Sequence, residues 1–276
     1  MRKTSWIFLL VLTLSLLSFN TIPGANAQEY EPSVGQAGKD VIWVPTPESL
    51  IEAMLDAAKV TPADFVMDLG SGDGRIVIAA AKRGAHAMGI EYNPDMVALS
   101  KRKAAEAGVS DRASFVNADI FESDYSKATV VTMYLLPNLN LKLRQALLNL
   151  KPGTRIVSHA FDMGDWEADR TITKEGRTAY LWIVPAKVDG LWTWKEKSDP
   201  ARLQLTQNFQ KIEGTLTING KSRPILNAQL RGDLINFSCG EQNYSGRIGP
   251  DGIQGEAESQ NGKIKWSAAR VLQAEK

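Results

Sequence analysis

Between Pro47 and Lys59 the apolar positions Leu50, Ile51, Met54, Leu55 and Ala58 recur every three or four residues, the spacing of one helical face. Pro47 suits a first helical turn, and Thr61-Pro62 breaks the pattern. From Phe65 the period changes. The short apolar run Phe65 to Leu69 reads as a strand ending in glycines, and Arg75 to Arg83 as a helix closed by Gly84. Ala85 to Glu91 reads as a second strand. Asn93-Pro94-Asp95 supplies an N-cap and first turn for a helix running to Ala107. Strands follow at Ala113 to Asn117 and Ala128 to Leu135, then a helix from Asn140 to Leu150 and strands at Arg155 to Ala160 and Thr178 to Val184. Repeated strand–helix units predict an α/β fold, a Rossmann-like, doubly wound and mostly parallel sheet.

Near Pro185 helical periodicity stops. Asn219-Gly220, Arg231-Gly232-Asp233, Pro250-Asp251-Gly252 and Asn261-Gly262 punctuate short alternating segments. This is hairpin grammar, and it predicts a small antiparallel all-β C-terminal domain, either a barrel or an open sheet. The expected organisation is a leader at 1–27, a mobile polar lead-in at 28–40, the α/β domain at 41–186, a linker at 187–200 and the meander at 201–276. Trp192 and Trp194 are expected to pack between the two domains, with a peptide-facing platform as the alternative.

The leader reading rests on Arg2 and Lys3 before the apolar run Trp6 to Leu17, then Ala25-Asn26-Ala27. The run is shorter than the ~20 residues that cross a bilayer comfortably. Cleavage after Ala27 and an exported, periplasmic or secreted, protein without stable membrane insertion are therefore expected; retention of the leader as an anchor is the alternative. Lys and Arg number 32 against 31 acids, so no global field steers the chain to nucleic acid. One Cys and two His exclude a four-ligand Cys/His zinc site and an internal disulfide, and no metal is expected.

The chemistry concentrates in Asp68-Leu69-Gly70-Ser71-Gly72-Asp73-Gly74-Arg75, between a strand and a helix. Glycines there let backbone approach a ligand, and a helix start offers free N–H groups. Glu91, at the end of the next strand, is placed to accept from ribose hydroxyls. The spacing is G-x-G-x-G, not the dinucleotide G-x-G-x-x-G, and Asp68 precedes it. A carboxylate is awkward beside a pyrophosphate but suits the ammonium of an aminoacyl nucleoside.

These residues, with Asn117-Ala118-Asp119 after the third strand, resemble the motif series of class I S-adenosylmethionine-dependent methyltransferases. Val44-Pro45-Thr46-Pro47, Tyr134-Leu135-Leu136-Pro137 and Lys151 to Ser158 narrow the resemblance to the small protein-lysine methyltransferases of archaea, bacteria and mitochondria. The resemblance covers roughly 41–186. It implies S-adenosylmethionine as cofactor and methyl transfer to an amine, a lysine of a protein substrate first among them. It implies that Asp68, Gly70, Ser71, Gly72 and Gly74 cradle the methionine part and that Glu91 holds the ribose. Asp119 would take the adenine amine, with Tyr92 and Ile120 against the ring. Tyr134 and Pro137 are the implied catalytic positions, facing the methyl group and orienting the amine. Amine methyltransferases of this class often carry Asn-Pro-Pro-Tyr there; Tyr-Leu-Leu-Pro departs from it and disfavours adenine or glutamine acceptors. Leu135, Leu136 and Trp166 are expected to line an apolar amine slot, and His159 is read as a hydrogen-bonded structural residue. Two other readings stay open, a non-catalytic exported binding protein on this fold and a small-molecule or lipid-amine methyltransferase.

Overall fold

The computed structural model describes residues 30–271 except Lys197. The leader, the start of the lead-in and the last residues of the chain lie outside the described residues.

The first layer runs α1 (Glu48–Ala57), β1 (Phe65–Leu69), α2 (Arg75–Lys82), β2 (His86–Glu91), α3 (Pro94–Glu106), β3 (Ala113–Asn117), β4 (Val130–Met133), α4 (Pro137–Leu147), β5 (Arg155–His159), β6 (Arg170–Lys174) and β7 (Arg177–Ile183). Its sheet has the order β3-β2-β1-β4-β5-β7-β6, parallel through β5 and antiparallel beyond. Strand side chains alternate between two cores. Val66, Val130 and Val157 face one cluster with α1, α2 and α3, while Met67, Val131 and Ile156 face another with α4. The helices are thus divided unequally, three to one. Neighbours β2 and β4 leave β1 in opposite directions, so the carboxyl end of β1 is the switch point where such sheets bind ligands.

Two elements of this layer differ from the sequence expectation. α4 begins at Pro137 rather than Asn140, because Pro serves as the first helical residue after Leu136. Leu139, Leu143 and Leu147 are its buried stripe. β6 leaves no mark in the hydrophobic pattern: only Ile172 of its five residues is buried, and Arg170 and Lys174 blunt an exposed edge.

The remaining strands are β8 (Gly190–Glu196), β9 (Asp199–Asn208), β10 (Lys211–Ile218), β11 (Lys221–Pro224), β12 (Leu226–Arg231), β13 (Leu234–Cys239), β14 (Gln242–Gly249), β15 (Gly252–Ser259) and β16 (Gly262–Arg270). They form a nine-stranded antiparallel sheet that curls around one apolar core, and Ile225 N donates to Gly214 O (3.0 Å) where its two ends approach. The stretch 187–200 is therefore no linker. It holds β8 and the start of β9, and β8 pairs with both β9 and β16. Trp192 and Trp194, two apart on β8, share the inward face and fill the curled sheet's own core, not the junction between the two sheets.

The lead-in is likewise structured in its described part. Gly35 N donates to Trp43 O and Trp43 N to Gln36 O (both 2.9 Å), and Ala37 bridges Ile42. Ser33 to Trp43 is a small strap, folded back over the carboxyl edge of the parallel sheet.

Candidate active site

The turn after β1 follows from its glycines. Gly70, Gly72 and Gly74 all have positive φ, from +53° to +79°. Gly70 N and Ser71 N donate to Ile90 O at 2.9 and 3.0 Å, tying the turn to β2. At Gly72 a β-carbon would sit 2.8 Å from the Trp43 indole nitrogen, and at Gly74 one would sit 2.7 Å from the Phe115 ring. The strap and β3 therefore approach the turn only because these side chains are missing.

Three carboxylates surround this turn in different settings. Asp73 accepts two hydrogen bonds from Arg75 (2.8 and 2.7 Å) and one from Lys103 (2.7 Å). Those cations outweigh its burial and hold its carboxyl below the usual range. Asp68 is 2% exposed and accepts from the Thr132 hydroxyl at 2.7 Å, across the β1–β4 register pair. Burial, added to the nearby charges of Glu91 and Asp73, pushes its carboxyl up to about 7. Glu91 accepts from Gly72 N and Asn93 N, both at 2.9 Å. A carboxylate offers about four acceptor directions, so two remain for a ligand.

Beyond β3, Asn117 donates to Glu91 O and Tyr92 O (3.1 and 2.6 Å), fixing the loop that carries Asp119. Asp119 accepts from Phe121 N at 2.9 Å and pairs with Lys39 of the strap, whose ammonium holds the carboxyl low. Lys39 Nζ also lies 4.6 Å from the centre of the Tyr92 ring.

At the end of β4, Tyr134 lies over His159 with ring centres 3.8 Å apart, and Phe161 stacks beyond it at 6.2 Å. His159 is buried and hydrogen-bonded to Thr46 Oγ1 (3.0 Å). Burial, with Arg177 nearby, lowers its pKa to about 4, so the ring is neutral near pH 7.

These parts surround one cleft of about 690 Å³, a common size for a ligand site. Its floor includes Asp68, Gly70, Ser71 and Glu91; Tyr92, Asp119 and Ile120 form one end, and Tyr134, Leu135, Leu136 and Phe161 the other. The strap from Gln36 and the residues that follow it, Val44 to Thr46, roof the cleft. Arg75 anchors the roof by donating to Thr46 O at 3.1 Å.

Of the residues expected from sequence, Gly72 and Gly74 shape the turn from outside the lining. Pro137 is exposed as the first residue of α4 and does not line the cleft. Trp166 is fully buried against Trp182 and Phe209, so it lines no slot; Leu135 and Leu136 do. Sequence reasoning misses Lys39, Trp43, Thr46 and Phe161. Val44-Pro45-Thr46-Pro47 is the only signal near them, and nothing in its period shows that the chain folds back over the turn.

The cleft fits the cofactor that its motifs imply. The Ser71 hydroxyl is buried beside the turn without a partner, and Asp68 is a desolvated acid that a cationic amino-acid end would stabilise in its charged form. Similar proteins agree. Residues 68–170 match the ANTKMT methyltransferase domain. A Saccharolobus islandicus protein-lysine N-methyltransferase is 44% identical over 52% of this chain and 94% of its own length. A mouse lysine N-methyltransferase named for ATP synthase is 33% identical over 63% of this chain and 69% of its own. A Salinibacter ruber protein described as an RNA methyltransferase, solved with S-adenosyl-L-homocysteine, is 52% identical, with a TM-score of 0.51 over 52% of this chain and 96% of that one. With the motif residues gathered on one cleft and these relatives matched over most of their length, the chain belongs to the class I S-adenosylmethionine-dependent methyltransferases, in the ANTKMT-related family of protein-lysine methyltransferases.

Proposed function

We propose that this enzyme methylates a lysine amine of a protein, and that it does so outside the cytoplasm. The observation that carries the acceptor reading is the end of the cleft lined by Tyr134, Leu135, Leu136 and Phe161: aromatic and aliphatic, with the buried His159 imidazole behind Tyr134 held neutral. Such a mouth suits the long apolar stem of lysine and disfavours its ammonium. The near balance of cations and acids supports a protein acceptor over a nucleic acid.

The cofactor, when bound, supplies a methyl group already activated on a sulfonium. The chain's residues therefore have to bind, align and dry rather than exchange protons. Asp68 and the Gly70 to Gly74 turn would hold the amino-acid end, Glu91 the ribose hydroxyls, and Asp119 with Tyr92 and Ile120 the adenine. Tyr134 would orient the amine from its shelf on His159. Alignment of this kind supplies on the order of 7–11 kcal/mol of a barrier. The ammonium gives up its proton to solvent water as it enters the apolar slot, where burial lowers its pKa. The basic, apolar and small-residue order of residues 1–27 supports export.

The test is mass spectrometry of envelope proteins from cells with and without the gene. A methyl-lysine that disappears with the gene, and that purified enzyme restores from S-adenosylmethionine, is expected. A methyl mark on RNA or on a lipid amine instead would overturn the acceptor assignment. Fractionation of the tagged full-length chain tests export, which recovery in the cytosol would refute.

A further inference from the structure

The curled C-terminal sheet has no assigned role, and about half of the chain lies outside the match to the archaeal relative. One of its turns packs on the loop that leads to the acceptor side of the cleft. β9 and β10 are joined by Phe209 and Gln210 alone, with Asn208 and Lys211 paired across the turn. Phe209 has φ +54°, a conformation that a bulky aromatic residue seldom adopts and that persists only where surroundings over-determine it. Those surroundings belong to the methyltransferase domain, in α4 and the loop between β5 and β6. The Phe209 ring stacks on Trp166 (5.9 Å, 15°) and lies 5.6 Å from the Arg144 guanidinium. Gln210 Nε2 donates to Glu167 O at 2.8 Å, and Lys211 pairs with Glu167 at 2.7 Å.

The contacts continue to the cleft. Arg144 donates to Met163 O (2.8 Å) and pairs with Asp165, while Trp182 Nε1 donates to Trp166 O (2.8 Å). At the other end of the same loop, Asn140 Nδ2 donates to Phe161 O and Asp162 O (3.2 and 3.1 Å), and Phe161 stacks on Tyr134. The segment Phe161–Trp166 is thus held by α4 on one side and by a turn of the second sheet on the other.

We infer that the β9–β10 turn is a positioning element for methyl transfer: Phe209, acting through Trp166 and Arg144, fixes the Phe161–Trp166 loop and with it the aromatic wall beside the acceptor amine. This rests on the proposal that the Tyr134 end receives the acceptor. The glycine turn on the floor is tied to β2 through Ile90 O, and Asp119 stands at the other end of the cleft, so loosening the β9–β10 turn should alter acceptor kinetics and spare cofactor affinity.

The test uses the full chain with poly-L-lysine as acceptor. Phe209→Asn removes the ring, and Asn tolerates the left-handed backbone. Turnover is expected to fall about ten- to a hundredfold, the scale on which misplaced groups act, with S-adenosylhomocysteine affinity unchanged. Phe209→Tyr, which keeps the stack, should restore turnover. Unchanged turnover in Phe209→Asn, or an equal loss of cofactor affinity, would overturn the inference. Should Phe209→Asn not fold, Gln210→Ala with Lys211→Ala loosens the turn without touching the ring, and the same two measurements decide. If wild-type enzyme leaves poly-L-lysine unmodified, the lysine proposal fails alone, and amide exchange decides the rest. Faster exchange at 161–166 in the variant, with the 70–74 turn unaltered, supports the inference, and equal exchange refutes it.

Discussion

Lys39 and Asp119, eighty positions apart in sequence, form an ion pair that ties the tip of the strap to the loop after β3. The pair spans the mouth of the cleft at the proposed adenine end, with Tyr92 beneath the ammonium. Asp119 uses one acceptor direction for Lys39 and one for Phe121 N, so an adenine amine can join without displacing either. Lys39 is then a latch rather than a competitor.

Lys39→Met is therefore expected to speed the release of S-adenosylhomocysteine. Lys39 is exposed and Asp119 partly so, and solvent weakens such pairs, so the change should stay within about fivefold and shrink at high salt. Stopped-flow displacement at two ionic strengths measures it. Slower release in the variant would show that Lys39 competes for Asp119.

Asp68 predicts a proton linked to cofactor binding. Its carboxyl is pushed up to about 7 by burial, and a cationic ligand end beside it would draw it back toward the ionised form. Calorimetry near pH 6.5 in buffers of different ionisation enthalpy should show proton release on binding, fading above about pH 9, where the acid is already ionised. The same shift has a stability consequence in the free protein. A folded pKa above the unfolded value of 3.8 gives a contribution complete below about pH 4 and lost as pH rises through about 7. Thermal stability should thus decline across that interval, and Asp68→Asn should flatten the decline while weakening cofactor binding. Proton release that survives in Asp68→Asn would assign the linkage elsewhere.

Legibility in the sequence follows the range of the interactions. Asp68, the glycines, Glu91 and Asp119 are readable because each stands at a strand end, where a local pattern fixes the direction of the chain. Asn93-Pro94-Asp95 is readable for the same reason: the Asn93 side chain accepts from Asp95 N at 2.9 Å, a contact two residues long. The strap is not, since Lys39 meets Asp119 and Thr46 meets His159 over long separations, and polar residues with Pro and Gly look alike in a tail and in a roof. Trp166 is misplaced by sequence because an aromatic residue after β5 could face the cleft or the core. Phe209 and the α4 packing decide for the core, and neither is local. β8 hides in an expected linker because its strand partners, β9 and β16, lie on either side of it in the sheet and come later in the chain.

His159 predicts an activity profile without a histidine limb. Its pKa is lowered to about 4, chiefly by burial, so it stays neutral from about pH 5 upward and serves Tyr134 as a flat support. The stability that it contributes is complete above its unfolded value of 6.5 and is lost as pH falls through about 4. A proton NMR titration of the imidazole should show a midpoint near 4. His159→Phe should keep cofactor affinity and become less sensitive to acid, while Tyr134→Ala should cut turnover far more than cofactor affinity. A histidine midpoint near 6.5 would mean that the ring is not buried as described.

Gly89 and Gly108 provide a contrast between shape and backbone strain. At Gly89, on β2, a β-carbon would meet the Ser71 hydroxyl at 2.4 Å and the Phe115 ring at 2.8 Å. Ser71 belongs to the turn that holds the proposed amino-acid end, so Gly89→Ala must move that turn. Overpacking of this kind costs about 1–3 kcal/mol, and S-adenosylhomocysteine binding should fall with stability. Gly108, after α3, has φ +67°, but an added β-carbon would meet nothing within 4 Å. Gly108→Ala should cost about 1–2 kcal/mol through the left-handed backbone and leave cofactor affinity unchanged. Thermal melts and calorimetry on both variants separate the two effects. Equal loss of affinity in both would mean that the turn responds to global stability, and that the close packing of Gly89 on Ser71 does not shape the site.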